Sequence, residues 1–595
     1  MREYSTPLTT EIPATGNLTD DVVRNAAEHP DAVLFGRHDG ETWSDVTATE
    51  FLTEVRAVAK GLVAAGLEHG DRVALISRTR YEWTLLDYAI WFAGAVTVPV
   101  YETSSAEQIA WILQDSGARA VVAEGPGHLA RIAQVRGDLE DLRHVWSIEG
   151  NAVEVLTRLG DDVPDAELER RRTTATPLDL ATLIYTSGTT GRPKGCMITH
   201  GNFMFELGVA TDELAELFDE DSSTLLFLPL AHVFARIIQI GCVKRRVRLG
   251  HTSDVLHLVD RLGEFQPTFV LAVPRVFEKV FNTASQRATA DGRGPIFDRA
   301  ARTAIEWSRA QDRGRVPLRL RARHAFFSRA VYPRLLQALG GRCRFAISGG
   351  APLGDRLCHF YRGVGLTILE GYGLTETTAA LTVNVPEAHK VGTVGRPLPG
   401  TTVRVAEDGE LQFSGGQVFA GYWGNEEATR ESLEREGWFH TGDVGEVDDE
   451  GFVRITGRKK EILVTAGGKN VSPAVLEDRV RAHALVSQCL VVGDGQPFIA
   501  ALVTLDPDAV RPWAEERGKP DDPRELTEDP DLREAIQAAV DDANGAVSKA
   551  ESIRKFVVLP HDWTEEGGQL TPSLKLKRNV VCREEREEIA ALYLG

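Results

Sequence analysis

Cysteine is scarce: six residues in a chain of 595, at positions 196, 242, 343, 358, 489 and 582. None forms a Cys-x-x-Cys pair, which excludes the usual zinc and dithiol motifs. So sparse a set fits a reducing cytosol. Positive charge is also in deficit. Lys and Arg number 67 against 87 Asp and Glu, for a net charge of −20. A nucleic-acid-binding protein would present a basic surface instead. General adhesion to anionic membranes is disfavoured as well, leaving only local basic patches for such contact. No apolar run reaches the roughly 18 residues of a spanning helix. The first residues, Met1 to Pro7, lack the apolar core of a signal peptide. The expectation is a cytoplasmic protein. Hydrophobic residues at 43% and charged residues at 26% suit an ordinary globular chain with several packing units, and no internal repeat is visible.

What is there centres on Tyr185-Thr186-Ser187-Gly188-Thr189-Thr190-Gly191-Arg192-Pro193-Lys194-Gly195. Glycines let backbone N–H groups turn towards an anion, hydroxyls add donors, and Lys194 supplies a compact charge. The loop lacks the Walker A spacing Gly-x-x-x-x-Gly-Lys-Ser/Thr and the dinucleotide fingerprint Gly-x-Gly-x-x-Gly. Asp179 to Tyr185 reads as a buried strand running into it.

Upstream, residues 1–20 read as an irregular polar arm. Phe51, Leu52, Val55, Val58, Leu62 and Val63 recur at helical spacing. Strands are expected at Val73 to Ile76, Val96 to Val100 and Ala120 to Ala123, with helices over Tyr81 to Ala95 and from Ile109. Such alternation predicts parallel sheets covered on both faces, with ligands at the strands' carboxyl ends. Thr224 to Leu230 and Phe269 to Val273 read as further strands. Residues 283–330 read as mostly helical, with a basic run from Arg313 to Arg323. A solvated helix face is the ordinary reading of those arginines, and a patch for phosphates or a membrane surface is the other. The run Lys244 to Arg248 reads either as a surface strand or as a contact for lipid headgroups or other phosphates.

Arg344 to Ser348 enters Gly349-Gly350, and Leu366 to Leu369 enters Glu370-Gly371-Tyr372-Gly373-Leu374-Thr375-Glu376. Tyr372 could stack on a nucleobase. Thr375 could donate to a phosphate, and Glu376 could hold Mg²⁺, which takes one or two carboxylates plus phosphate oxygens. From Gly392 to Arg458 short strands and frequent glycines predict a small antiparallel unit. Asp443 closes Gly437-Trp438-Phe439-His440-Thr441-Gly442-Asp443, where a carboxylate could accept both hydroxyls of a ribose. Beyond Lys460, helix and strand patterns (Val475 to Ala482, Gln488 to Val492, Phe498 to Leu505) predict a separate α+β domain of about 135 residues. Leu570 to Arg578 carries Lys575, Lys577 and Arg578.

The order and wording of these segments resemble the AMP-forming, adenylate-forming superfamily of acyl-CoA synthetases. The resemblance runs from about residue 30 to 580. The phosphate-loop signature, Gly-Tyr-Gly-Leu-Thr-Glu, Thr-Gly-Asp, Gly-Arg-Lys-Lys-Glu and the late lysine all stand in the superfamily's order. Leu228 to Arg236, Val273 to Lys279 and Ser348 to Leu353 look like its long-chain fatty acyl-CoA ligase branch.

The resemblance implies an α/β fold. A large N-terminal domain (1–458) would hold two parallel-rich layered α/β subdomains and a small antiparallel β-barrel. A hinge at 459–460 and a small mobile α+β C-terminal domain (461–595) would follow. It implies ATP, Mg²⁺ and CoA as ligands and a fatty acid as substrate. Thr186, Ser187, Gly188, Thr189, Thr190 and Lys194 would hold the β- and γ-phosphates. Gly349, Gly350 and Tyr372 would line the adenine pocket. Thr375 would meet the α-phosphate, and Glu376 with Thr186 the Mg²⁺. Asp443 and Arg458 would hold the ribose, and His232 would sit near the acyl carboxylate or its tunnel gate. Lys460 would be the hinge, and Gly467 and Gly468 would approach pantetheine. Lys575 would be the catalytic lysine. Leu574 stands where the superfamily has Gly, which leaves Lys577 as the alternative. Rival readings are an acyl-AMP ligase serving a carrier protein, a CoA ligase for another bulky or aryl acid, and a non-catalytic nucleotide or lipid binder. Peripheral membrane contact, and a monomer or homodimer, stay open.

Overall fold

The computed structural model describes residues 2–186, 192–520, 522–571 and 575–594. The described residues form a nine-stranded, a six-stranded, a five-stranded, a three-stranded and a two-stranded sheet. The six-stranded sheet runs in the order His144–Ser147, Ala120–Ala123, Arg72–Ile76, Val96–Val100, Leu180–Thr186, Lys194–Thr199. All its pairings are parallel except the last. In the nine-stranded sheet the parallel centre runs Thr367–Tyr372, Phe345–Ser348, Phe269–Ala272, Ser223–Leu226, Arg248–His251, Val33–His38. Antiparallel strands close both of its ends.

The helix Tyr81–Phe92 lies between these two sheets. Of its residues all but Glu82 are buried, as expected for a helix apolar on every side. One hydrophobic core joins it to Val73, Leu75 and Val122 of one sheet and to Phe35, Leu226 and Phe269 of the other. Within that core sits an ion pair at zero exposure. Arg236, from the helix Val233–Arg245, bonds Asp87 of the buried helix through Nε (3.0 Å) and also through Nη2. Thr97 donates to Asp87 at 2.7 Å and Gln239 at 3.1 Å, while Arg236 Nη1 donates to the Thr182 hydroxyl at 2.5 Å. Burial pushes the Asp87 carboxyl up, and Arg236 pulls it back.

The antiparallel unit is a five-stranded sheet in the order Glu3–Ser5, Thr402–Val405, Glu410–Ser414, Phe439–Val447, Val453–Arg458. The two outer strands are not paired to each other among the described residues. The N-terminal arm is therefore not irregular throughout: Tyr4 lies opposite Val403 as an edge strand. The expected strand Thr224 to Leu230 shortens to Ser223–Leu226, because Pro229 has no N–H to offer a ladder. The expected helix Tyr81 to Ala95 stops at Phe92, capped by Gly94 at φ 78°. Past residue 460, Val486–Val492, Ile499–Leu505 and Ile553–Val558 form the three-stranded sheet. The helices Pro473–Arg481, Pro507–Glu515 and Pro530–Asn544 pack on it around a core of their own.

Removing one member of the Asp87–Arg236 pair leaves a buried charge uncompensated. Asp87→Ala is expected to cost about 3–5 kcal/mol. Replacing both with Asp87→Leu and Arg236→Met should cost clearly less, as read from urea unfolding midpoints.

Candidate active site

The glycine-rich loop does not lead from a strand into a helix. Leu180–Thr186 pairs antiparallel with Lys194–Thr199, with Thr186 opposite Lys194, so these two strands form a hairpin. The next helix starts only at His200. Ser187, Gly188, Thr189 and Thr190 lie outside the described residues. Thr186 and Lys194 stand at the hairpin's base. The Lys194 ammonium sits 4.6 Å from the centre of the Tyr422 ring, and the Tyr422 hydroxyl donates to Glu376 Oε1 at 2.9 Å. Backbone bonds Trp423 N to Gly195 O (2.8 Å) and Met197 N to Gly421 O (2.9 Å) zip this segment to the hairpin. Tyr422 thus joins two expected site residues. Nothing in Ala420-Gly421-Tyr422-Trp423 marks it in the sequence.

Two parallel strands of the nine-stranded sheet end beside the hairpin. After Phe345–Ser348, Gly350 takes φ 83°, which favours glycine. A Cβ on Gly349 would stand 3.1 Å from the Phe234 ring. Thr367–Tyr372 runs three residues further than expected and places Tyr372 beside Asp443. The Tyr372 hydroxyl donates to Asp443 Oδ2 at 2.6 Å, and Arg458 Nε donates to Oδ1 at 2.9 Å. Burial, then Asp443, push the Tyr372 phenol up, so it stays a donor. Thr375 and Glu376 follow in a 3₁₀ turn, Thr375–Thr377. Behind that turn Thr378 and Ala379 hold φ 60° and 135°, a strained pair costing of order 1–3 kcal/mol each. The chain folds back so tightly that a Cβ on Gly373 would sit 1.4 Å from Ala379 O. Ala380 N donates to Glu206 Oε1 at 2.6 Å, and burial pushes that buried carboxyl well up.

Lys575 reaches this cleft from the C-terminal domain. Its Cε lies 3.9 Å from where a Cβ on Gly350 would stand. Burial, then the Arg458 guanidinium, pull the ammonium below its ordinary range, while Asp443, Glu376 and Glu461 pull it back up. Solvent still reaches the side chain through the open cleft. His232 caps the helix Val233–Arg245, its Nδ1 accepting from Phe234 N at 3.2 Å. Burial, with Lys575 adding to it, pulls the imidazole down to about 3, so His232 is neutral near pH 7. Lys577 instead opens the helix Arg578–Glu584, its N–H bonded to Gln569 O at 2.8 Å. Arg578 anchors that end on Val491 O (2.8 Å) and Glu477 (2.5 Å).

The cleft therefore gathers Thr186, Lys194, Gly349, Gly350, Tyr372, Thr375, Glu376, Asp443, Arg458, Lys575 and His232. Among the described residues it does not gather Lys460, Gly467 or Gly468. Lys460 is exposed in the turn Lys459–Glu461. Gly467 and Gly468 are exposed on the loop between Leu463–Val464 and Asn470–Val471. The basic run Lys244 to Arg248 mostly closes a helix rather than forming a surface strand. Its arginines pair with Asp212, Glu220 and Asp45, which leaves little charge for phosphates. Across the domain boundary Arg275 bonds Asp506 at 2.8 Å, Lys279 bonds Asp508 at 3.2 Å, and Arg356 donates to Ala482 O at 3.4 Å. Sequence reading singled out the segment holding Arg275 but had no means of finding its partner.

Among the described residues no group of three or more His, Cys, Asp or Glu could hold a metal by itself. One carboxylate, Glu376, which shares the Cys196 thiol with the Thr186 hydroxyl, suits an ion that brings its remaining ligands on phosphate and water. That is the habit of Mg²⁺.

Comparison with known proteins agrees in kind. The model of the family described as AMP-binding enzyme matches residues 22–423, and that of the AMP-binding enzyme C-terminal domain matches 460–595. The long-chain-fatty-acid–CoA ligase FadD15 of Mycobacterium bovis is 52% identical over 598 residues, covering 100% of both chains. The long-chain-fatty-acid–CoA ligase ACSBG2 of Xenopus laevis is 30% identical over 95% of this chain and 82% of its own. Among solved structures, the anthranilate CoA ligase AuaEII in complex with anthranoyl-AMP superposes with a TM-score of 0.73. It is 20% identical and covers 98% of this chain and 99% of its own. The adenylation domain of a carboxylate reductase from Mycobacterium chelonae gives 0.75, at 22% identity over 97% and 91%. Both share the fold of this chain. By the two family matches and the full-length identity, this chain belongs to the AMP-binding enzyme family.

Proposed function

We propose that the protein is a long-chain fatty acid–CoA ligase that works through an acyl-adenylate. The observation that carries this reading is the convergence of Lys575, from the C-terminal domain, with Glu376, Asp443 and Arg458 beside the glycine hairpin. The full-length likeness to ligases named for long-chain fatty acids supports the substrate class.

A carboxylate must attack the α-phosphorus of ATP, and both are anions. Lys575 bridges them, offsetting their repulsion and orienting the attack. The new bond joins carboxylate oxygen to phosphorus, the bond to pyrophosphate breaks, and acyl-AMP forms. Lys194 and the hydroxyls of the hairpin hold the departing pyrophosphate. When bound, Mg²⁺ supplies charge neutralisation on the phosphates, with Glu376 and Thr186 as its protein ligands. Tyr372 and Arg458 fix the Asp443 carboxylate, whose remaining lone pairs accept the ribose hydroxyls. Tyr372 with Gly349 and Gly350 borders the adenine, and Thr375 donates to the α-phosphate. Neutral His232 orients the acyl carboxylate without adding charge. In the second half-reaction the CoA sulfur attacks the acyl carbon, AMP leaves, and the thiol proton passes to solvent. For that step the C-terminal domain turns about Lys460, withdrawing Lys575 and bringing Gly467 and Gly468 to the pantetheine arm. The partners are thus a fatty acid, ATP with Mg²⁺, and CoA. Membrane contact is peripheral in this reading, since no helix among the described residues is long and apolar enough to cross a bilayer.

AMP release that depends on CoA and rises with fatty acid length is the expected behaviour. Release with a carrier protein but not CoA would overturn the assignment. Lys575→Ala should abolish ATP–pyrophosphate exchange and leave transfer from supplied acyl-AMP to CoA largely intact, while Lys577→Ala retains exchange. Arg275→Gln should slow exchange about fivefold, the scale of one partly exposed ion pair, and spare transfer. Asp506→Asn, which keeps its helix cap, should match it, and the double variant should be no worse. Tyr422→Phe keeps the ring under Lys194 and loses the bond to Glu376, about 1.5–3 kcal/mol. It should raise the Mg²⁺ needed for half-maximal exchange, and Tyr422→Leu should raise the KM for ATP further.

A further inference from the structure

The basic run that the site leaves unused lies on the helix Leu318–Ala330 and the turn before it. Between Asp312 and Asp355 the chain has nine Arg and no acidic residue, in a protein whose net charge is −20. One face of the helix is locked to its own domain. Leu320 and Phe327 are buried, and His324 stacks on Trp307 with ring centres 4.0 Å apart. The opposite face carries apolar side chains into solvent. Leu318 is 80% exposed and Phe326 63%, with Ala322 and Ala325 exposed between them. These positions share one side at helical spacing, with Arg319 and Arg321 flanking them. Arg315, Arg319 and Arg321 form no ion pair among the described residues, whereas Arg323 is held by Glu306.

We propose that this face docks the enzyme on an anionic lipid surface. Leu318 and Phe326 enter the headgroup boundary, and the flanking arginines meet lipid phosphates. A helix with an apolar stripe flanked by Arg, rigid on its inner side, is the form such interfacial contacts take. Charge complementarity singles out the occupant. An acidic protein repels an anionic bilayer everywhere except where positive charge is concentrated, so this patch sets both attachment and orientation. A two-fold pair of this chain would set the patch against its own copy, arginine facing arginine, which makes a second copy the weaker occupant. The inference rests on the fatty-acid ligase reading only for its purpose, since long-chain acids partition into bilayers.

The test is co-sedimentation of the full chain with phosphatidylcholine vesicles, with and without one quarter phosphatidylglycerol, at rising salt. The bound fraction should be at least about fivefold higher on the anionic vesicles and fall with salt. Arg319→Gln with Arg321→Gln, and separately Leu318→Ser with Phe326→Ser, should each lower it about fivefold. Both variants should keep wild-type ligation of a water-soluble, shorter fatty acid, which shows them folded. Equal binding to the two vesicle types, or unchanged binding in both variants, overturns the proposal. So does absent binding together with a dimer that Leu318→Ser with Phe326→Ser dissociates, which would assign the face to a second copy. If the wild type binds vesicles but ligates no acid, the ligase reading fails and the docking surface stands.

Discussion

The buried pair of Asp87 and Arg236 is the constraint on which the cleft depends. Its network reaches Thr97 and Thr182 of the six-stranded sheet directly, and His251 of the nine-stranded sheet through Gln239 and Thr84. Asp87 lies on the helix between the sheets. Arg236 lies one turn into the helix that His232 caps, and Arg236 also bonds Thr182 on the strand leading to the glycine hairpin. If Arg236 moved, His232, Phe234 and the hairpin base would lose their common reference. A buried ion pair contributes little net stability against an apolar replacement. Its value here is orientation: a guanidinium offers fixed directions, and a methionine would not.

Charge in the cleft is arranged so that no cation is fully satisfied by protein. Asp443 is held by Tyr372 and Arg458, and Glu376 by Tyr422. Lys194 has a ring face against it in place of a carboxylate. Lys575 stands near both acids but is pulled down by Arg458 and by burial. Three cations, Lys194, Arg458 and Lys575, meeting at one cleft in an acidic protein suit the polyanion of the proposed reaction. The neutral imidazole of His232 fits the same logic, since further fixed charge beside Lys575 would repel it. The strained turn at Thr378 and Ala379 is the cost of aiming Thr375 and Glu376 inward. A backbone bond to the buried Glu206 helps to hold it there.

Much of this was legible in the residues. The strand end before Gly349-Gly350 could be placed because those glycines interrupt a short apolar run, and Gly350 indeed occupies a left-handed turn, whereas the strand expected to end at Leu369 continues through Gly371 and Tyr372 in an antiparallel ladder. The ordered motifs gave the family. The direction of the strand after the phosphate loop was not legible. Gly195-Cys196-Met197-Ile198 is a short apolar run before a helix, and nothing local says whether it returns antiparallel. The arm at Glu3–Ser5 was missed because a three-residue edge strand has no periodicity to read. Tyr422, Glu206 and the Arg275–Asp506 pair were invisible for a different reason. Their partners stand far away in sequence, and no spacing rule reaches that distance.

The domain boundary has the make-up that the proposed release of Lys575 from the cleft requires. Each hydrophobic cluster keeps to one side: none mixes residues up to Ile455 with residues from Leu463 onward. Polar contacts cross it among the described residues: Arg275 with Asp506, Lys279 with Asp508, Arg356 with a helix-end carbonyl, and Ser472 with Thr456 O. Apolar burial would cost about 25 cal/mol per Å² to undo, and ion pairs at a partly wet surface can trade partners with water at far smaller cost. A boundary built this way holds an orientation without committing to it. That suits the role proposed for Lys575, present for the attack on ATP and withdrawn for the arrival of a thiol.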